Sequence, residues 1–161
     1  CYYIVMNTIK ISFDDIKRDV GDIAQQLTSD DFKPEVIFGP GRGGYVPGVM
    51  LSHYFGVPFH GFEWQFRDFE VQEDEHLGVL LDRYFNKDIL IVDDINDSGK
   101  TMQSIYAKVV GVQHDGYWMH GDVKYACLYE RFNTEFNKLD YRSKYIETEQ
   151  WLDFPWEDWW K

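Results

Sequence analysis

Two short segments hold residues whose types and spacing could do chemistry. The first is Gly39-Pro40-Gly41-Arg42-Gly43-Gly44, a turn nearly free of side chains with one guanidinium inside it. The second is Asp93-Asp94-Ile95-Asn96-Asp97-Ser98-Gly99-Lys100-Thr101, where two adjacent carboxylates precede a small polar turn. Glycines let backbone N–H groups approach an anion closely, and an arginine can hold two of its oxygens at once. Carboxylates do the complementary work. They accept hydrogen bonds from hydroxyls, reach hard cations such as Mg²⁺, or take up a proton.

Each segment follows an apolar run and precedes a helical pattern. Residues 35–38 and 88–92 read as buried strands. Ile89, Leu90, Ile91 and Val92 are continuously apolar, as expected of a parallel strand covered on both faces. Helices are expected over about 45–55, with Pro47 in the first turn, and over about 101–112. Earlier in the chain Phe13, Ile16, Val20, Ile23 and Leu27 recur at spacings of three and four. That stripe predicts a helix over about 12–28, capped by Ser12 with Asp15 as its capping-box partner. Strands at 57–60 and 123–129 complete the alternation. Short strands alternating with helices imply an α/β fold with a parallel sheet, whose ligands bind beyond the carboxyl ends of the strands. Both glycine-containing turns fall there. Residues 61–80 are polar, acidic and partly aromatic, and read as a long loop or loose hairpin.

The chain has 161 residues, the size of one domain, and a chain of this length buries roughly 68–70% of its unfolded surface. No apolar run approaches the ~20 residues of a membrane span. Cys1 and Cys127 cannot form a disulfide framework and suit a reducing, cytoplasmic setting. Cys1 is no initiator, Met6 is a candidate start, and the apolar stretch 2–6 is too short for a signal-peptide core. The formal net charge is −12, which argues against a general nucleic-acid binder. That acidity is local: residues 61–78 hold six carboxylates against Arg67, and residues 146–161 hold five against Lys161. An anionic ligand can therefore still bind at the two turns. The five histidines show no metal-ligand spacing.

Three readings of the turns compete. Gly39, Gly41 and Gly44 satisfy a dinucleotide fingerprint, with Glu63 near the place of a ribose-binding acid. Arg42 sits badly in such a turn, and the second segment would have no role. Gly99-Lys100-Thr101 looks like the end of a P-loop, but Asp94 stands where that pattern requires glycine, facing triphosphate oxygens. This excludes an NTPase. The third reading uses both segments. Four apolar residues, two acids, two spacers and Asp-Ser-Gly-Lys-Thr, from Ile89 to Thr101, resemble the phosphoribosyl-diphosphate (PRPP) motif of type I phosphoribosyltransferases. The 39–44 turn, with the Leu51-Ser52-His53 and Gly56-Val57-Pro58 that follow, is similar to that family's diphosphate loop and helix. Residues 151–157 resemble the tail of its xanthine and guanine branch.

The resemblance implies a single domain over 1–161, with helices on both faces of a parallel sheet. It also implies a flexible lid at 61–80 and a small base-binding hood over about 130–161. By the same resemblance Asp93 and Asp94 hold the ribose hydroxyls, and one of them reaches Mg²⁺ through water. Because adjacent strand residues point oppositely, one of the two is expected to face the ligand. Asp97, Ser98, Gly99, Lys100 and Thr101 take the 5′-phosphate, where amides and a helix start converge. The alternative for Asp97 is a plain helix cap. Gly41, Arg42, Gly43 and Gly44 take the diphosphate, with a cis peptide at Gly41–Arg42. Asp97 is implied as the base at purine N7. Trp151 stacks on the purine, the backbone of Leu152 faces its 2-position, and Arg131 stands where the family offers a lysine to the 6-oxygen. Phe62, Trp64, Phe66 and Phe69 are expected to cover the site from the lid. The implied reaction joins PRPP to a 6-oxopurine, with Mg²⁺, in a homo-oligomer (dimer or tetramer) that binds neither nucleic acid nor membrane. The rivals are a PRPP-sensing regulator of the same fold and the dinucleotide-binding domain.

Overall fold

The computed structural model describes residues 7–67, 70–73, 75–113 and 121–161. The expectations for 1–6 and for Phe69 lie outside them, as does that for the Phe66 side chain. In chain order the elements are β1 (Thr8–Lys10), α1 (Phe13–Ser29), β2 (Val36–Pro40), α2 (Tyr45–Phe55), β3 (Phe59–Phe62), β4 (Trp64–Arg67), β5 (Glu70–Glu73), α3 (Glu75–Arg83), β6 (Ile89–Asn96), α4 (Lys100–Val112), β7 (Val123–Arg131), β8 (Tyr141–Ile146) and β9 (Trp151–Asp153).

The local signals act as expected in α1. The Ser12 hydroxyl accepts from the Asp15 amide at 3.0 Å, and the Asp15 carboxylate accepts from the Ser12 amide at 2.9 Å. This capping box satisfies two of the donors a helix start leaves open. Its stripe buries Ile16, Val20, Ile23 and Leu27 against the sheet.

Five strands form one sheet in the order β3-β2-β6-β7-β8, parallel throughout. Alternate residues feed two cores. Ile37, Leu90, Val92, Ala126 and Leu128 pack with α1 and α2. Val36, Phe38, Ile89, Ile91 and Cys127 pack with α3 and α4. Helices therefore cover both faces, which explains the uninterrupted apolar run of β6. From β2 the chain steps outward to β3, then crosses back past β2 to β6. The strand order reverses between β2 and β6, and such a switch point opens a crevice at the carboxyl ends.

Of the loop-or-hairpin reading of 61–80 the hairpin is present, but it makes up only part of the segment. Its first two residues end β3, β4 and β5 form an antiparallel hairpin, and α3 begins at Glu75. Phe62 and Trp64 are buried core residues rather than an outer cover. The strand expected at 57–60 lies two residues later, and β6 and β7 outrun their apolar cores. At the other end β1 pairs in parallel with β9, in register Thr8↔Trp151. No helix among the described residues is long and apolar enough to cross a membrane.

Candidate active site

β2 and β6 run side by side, with Phe38 opposite Ile91, so their ends deliver the two turns to one crevice. Contact between the turns is direct. A Cβ on Gly43 would fall on the Asp94 carboxylate, so close approach explains that glycine. The Gly41 amide donates to the Phe62 carbonyl at 2.7 Å, and the Tyr45 amide to the Arg42 carbonyl at 3.1 Å. These bonds fix the first turn between the end of β3 and the start of α2. The Gly41–Arg42 peptide is cis, and the Arg42 side chain is exposed.

The second turn continues β6 without a break, and Asp93 and Asp94 lie on the strand itself. Both line a 340 Å³ cavity, together with Gly43, Ser98, Gly99 and Thr101. Both residues thus border the same cavity. The Asp94 amide donates to the Asp93 carboxylate at 2.9 Å. Burial raises the proton affinity of both carboxyls. Asp93 is pushed well above the usual carboxylate range, by burial first and by the neighbouring Asp94 charge second. Asp94 rises to about 6, again chiefly through burial.

Behind this turn Asn96 is buried. Its amide donates to the Phe136 carbonyl at 3.0 Å and its oxygen accepts from the Thr134 hydroxyl at 3.1 Å. The Glu135 amide donates to the Ser98 carbonyl at 2.9 Å. Gly99 caps α4 with φ of +88°, and a side chain there would strike Thr134 and Phe136. Both the backbone conformation and the space demand glycine. Asp97 is not the helix cap. Its carboxylate accepts instead from Arg131 Nε at 2.5 Å. Ser98, Gly99 and Thr101 face the cavity beside the start of α4, where free amides favour an anion. Lys100 is not among the lining residues.

An adjoining cavity of 840 Å³ lies toward the chain terminus, lined by Arg42, Asp94, Trp151, Asp153, Trp156 and Glu157 among others. Trp151 is 55% exposed on its rim. The Leu152 side chain is buried in the core, and its residue pairs with Ile9 across β1 and β9. Arg131, at the end of β7, is buried. Its Nη1 donates to the Thr148 and Gln150 carbonyls at 2.5 and 3.1 Å. Sequence reasoning put Trp64 in the lid, whereas it walls the smaller cavity. Its indole N–H donates to the Ser104 hydroxyl at 2.7 Å. Asn96 was passed over as a spacer. Its place among carboxylates at a strand end was its only sequence signal.

Comparison with known proteins identifies relatives of this fold. The family model of the phosphoribosyl transferase domain matches residues 12–159. A purine phosphoribosyltransferase from Pyrococcus horikoshii Ot3 is 28% identical, with a TM-score of 0.72 and 95% of each chain covered. The Helicobacter pylori xanthine-guanine-hypoxanthine phosphoribosyltransferase is 20% identical, with a TM-score of 0.73, covering 94% of this chain and 95% of that one. A hypothetical protein from Neisseria gonorrhoeae with bound ppGpp is 21% identical, with a TM-score of 0.75, covering 96% and 92% respectively. The last two likenesses concern the fold alone.

Proposed function

The chain belongs to the type I phosphoribosyltransferase family, and from that premise we propose that it joins PRPP to a 6-oxopurine, guanine or xanthine before hypoxanthine. The products are a nucleoside 5′-monophosphate and diphosphate. One observation carries the reading: an arginine-bearing glycine turn, two half-buried carboxylates and a helix-start turn meet at one switch point, beside a cavity rimmed by tryptophan. The purine class comes from the Pyrococcus relative and from the resemblance of residues 151–157.

Each group has a task. The amides of 98–101, with the Ser98 and Thr101 hydroxyls, take the 5′-phosphate. Arg42 and the amides of 42 and 43 take the diphosphate, while the amides of 41 and 44 hold the turn by donating to the Phe62 and Pro40 carbonyls; a guanidinium matches the negative oxygens in pairs. Asp93 and Asp94 accept from the ribose 2′- and 3′-hydroxyls. Loss of diphosphate leaves positive charge on the ribose, which the nearby carboxylates stabilise. Asp97, which lines the smaller cavity, takes the proton released when the purine nitrogen attacks. Trp151 stacks on the base. Arg131 stands at the end of β7, where the family offers a lysine to the purine 6-oxygen, and is assigned that contact on position alone, since it lines neither cavity.

The donor set also fits Mg²⁺. Asp93 and Asp94 offer hard oxygens, and no group of three or more potential metal-ligating side chains is assembled among the described residues. That pattern suits an ion carried largely by substrate phosphates and waters, with one or two carboxylates of the protein. When present, the ion supplies positive charge to the leaving diphosphate. The test is a panel of bases assayed for diphosphate release with PRPP and Mg²⁺. Guanine or xanthine should lead and adenine should be inert. Efficient turnover of adenine would overturn the 6-oxopurine assignment.

A further inference from the structure

Arg131 is bonded in two directions at once. Toward β6 its Nε donates to the Asp97 carboxylate at 2.5 Å. Toward the terminus its Nη1 donates to the Thr148 and Gln150 carbonyls, and Gln150 is the residue before Trp151. The guanidinium is planar and its donors are fixed relative to one another, so a change of angle at one end is felt at the other. The side chain is only 8% exposed, so little water competes for these bonds. Other ties on this turn, through Asn96 and the Ser98 carbonyl, run to residues 134–136.

We infer that Arg131 is a positioning residue: it couples occupancy of the 97–101 phosphate turn to the backbone that carries Trp151, so that PRPP binding orders the base site. The inference rests on the proposed reaction, and it assigns Arg131 a role that a simple contact with the purine would not give. A ligand phosphate on 98–101 fixes the Asp97 backbone. The carboxylate then holds Nε, and Nη1 holds the Thr148 and Gln150 carbonyls in place. Linkage requires the reverse as well: a base against Trp151 tightens PRPP. Removing the guanidinium uncouples the two ends, and a donor to the purine alone would leave events without purine unchanged.

Hydrogen exchange without any base is the test. In the native chain, PRPP with Mg²⁺ should slow exchange at residues 93–101 and also at 148–152, by about 5- to 150-fold, the usual span of a coupling between sites. In Arg131→Met the protection at 93–101 should persist and that at 148–152 should vanish. Arg131→Lys, which keeps the charge, should restore part of it and serves if the methionine variant folds poorly. Turnover kinetics should show the base KM rising more than the PRPP KM in both variants. If PRPP protects 93–101 but leaves 148–152 of the native chain unchanged, or protects 148–152 equally in Arg131→Met, the coupling is wrong while the reaction stands. If PRPP protects nothing, the proposed reaction and the coupling fall together.

Discussion

At the inner end of the crevice Asp93, Asp94 and the 97–101 turn grow out of β6, a strand buried on both faces and paired on both edges. At the outer end Trp151 stands on β9, three residues long in a two-stranded sheet with β1. The inner end is braced by Asn96, Thr134 and the Ser98 carbonyl, whereas the outer end presents a single exposed tryptophan on a short strand. Groups that meet developing charge must be preorganised, because reorienting them during reaction would cost part of what they stabilise. Groups that grip a flat base need area and a stacking plane, and they tolerate looser support. The two ends should therefore fail differently when altered.

The largest failure is expected at the inner end. Asp97→Asn should keep PRPP affinity and lower turnover by about 100-fold or more, the range for a general acid–base group. The carboxamide still accepts from Arg131, so the architecture survives while the base is lost. Single-turnover rates alongside PRPP titration separate the two quantities. Turnover near that of the native chain would remove Asp97 from the chemistry and leave it a structural partner of Arg131.

Trp151→Ala tests the outer end. Stacking of a base on an aromatic ring is worth roughly 1–3 kcal/mol in single-strand recognition, so base KM should rise about 5- to 150-fold. PRPP affinity and melting temperature should hardly move, since the ring is already 55% exposed. A large drop in melting temperature with unchanged base KM would make Trp151 a packing residue.

The same contrast governs what could be read from the sequence. The inner end is local: β6 and its turn are contiguous, and the Ile89–Thr101 pattern names most of its groups. The outer end is long-range. β9 needs β1, about 140 residues away, and three-residue strands carry no period of their own. β8 gives no strand signal because Tyr-Arg-Ser-Lys-Tyr-Ile is an edge strand in which charge interrupts the apolar positions. α3 carries a local signal of its own. Leu77, Leu80, Leu81 and Tyr84 keep helical spacing, but the acids before them suggested a loop. The bond between Arg131 and Asp97 joins residues 34 apart and exists only because β7 lies beside β6. No spacing rule could announce it.

A smaller effect is expected from the brace behind the turn. Asn96→Ala leaves the Phe136 carbonyl and the Thr134 hydroxyl without their buried partner. Such losses cost about 1–3 kcal/mol. The melting temperature should fall, and PRPP should bind more weakly because the 97–99 backbone loses its support. Base stacking, measured as base KM at saturating PRPP, should stay close to native. Equal weakening of both substrates would mean that the two ends share one brace, and the contrast drawn above would fail.

The smallest effect lies in the pH dependence of the ligand-free protein. Asp94 has its folded pKa raised to about 6, from an ordinary value of 3.8, chiefly by burial. Between those values the folded chain keeps a proton that the unfolded chain has released. Stability must then fall as pH rises through this window, and the full penalty is present above about 6. The shift corresponds to roughly 3 kcal/mol at most. The cleft still admits solvent to both carboxylates, so about 1–2 kcal/mol is the expected contribution after screening. Asp94→Asn cannot ionise, so relative to the native chain it should gain stability as pH is raised from 4 to 7. Taking the difference between variant and native removes acids such as Glu35, whose pKa is lowered by the Asp88 amide and Lys87 and whose contribution runs the opposite way at lower pH. Asp93 shifts in the same direction as Asp94, so the double asparagine variant should flatten the profile further. Parallel melting curves for native and Asp94→Asn across that window would show that the carboxylate is as well solvated folded as unfolded. The inner end would then owe its preorganisation to the brace on Asn96 and Arg131, and not to burial of charge.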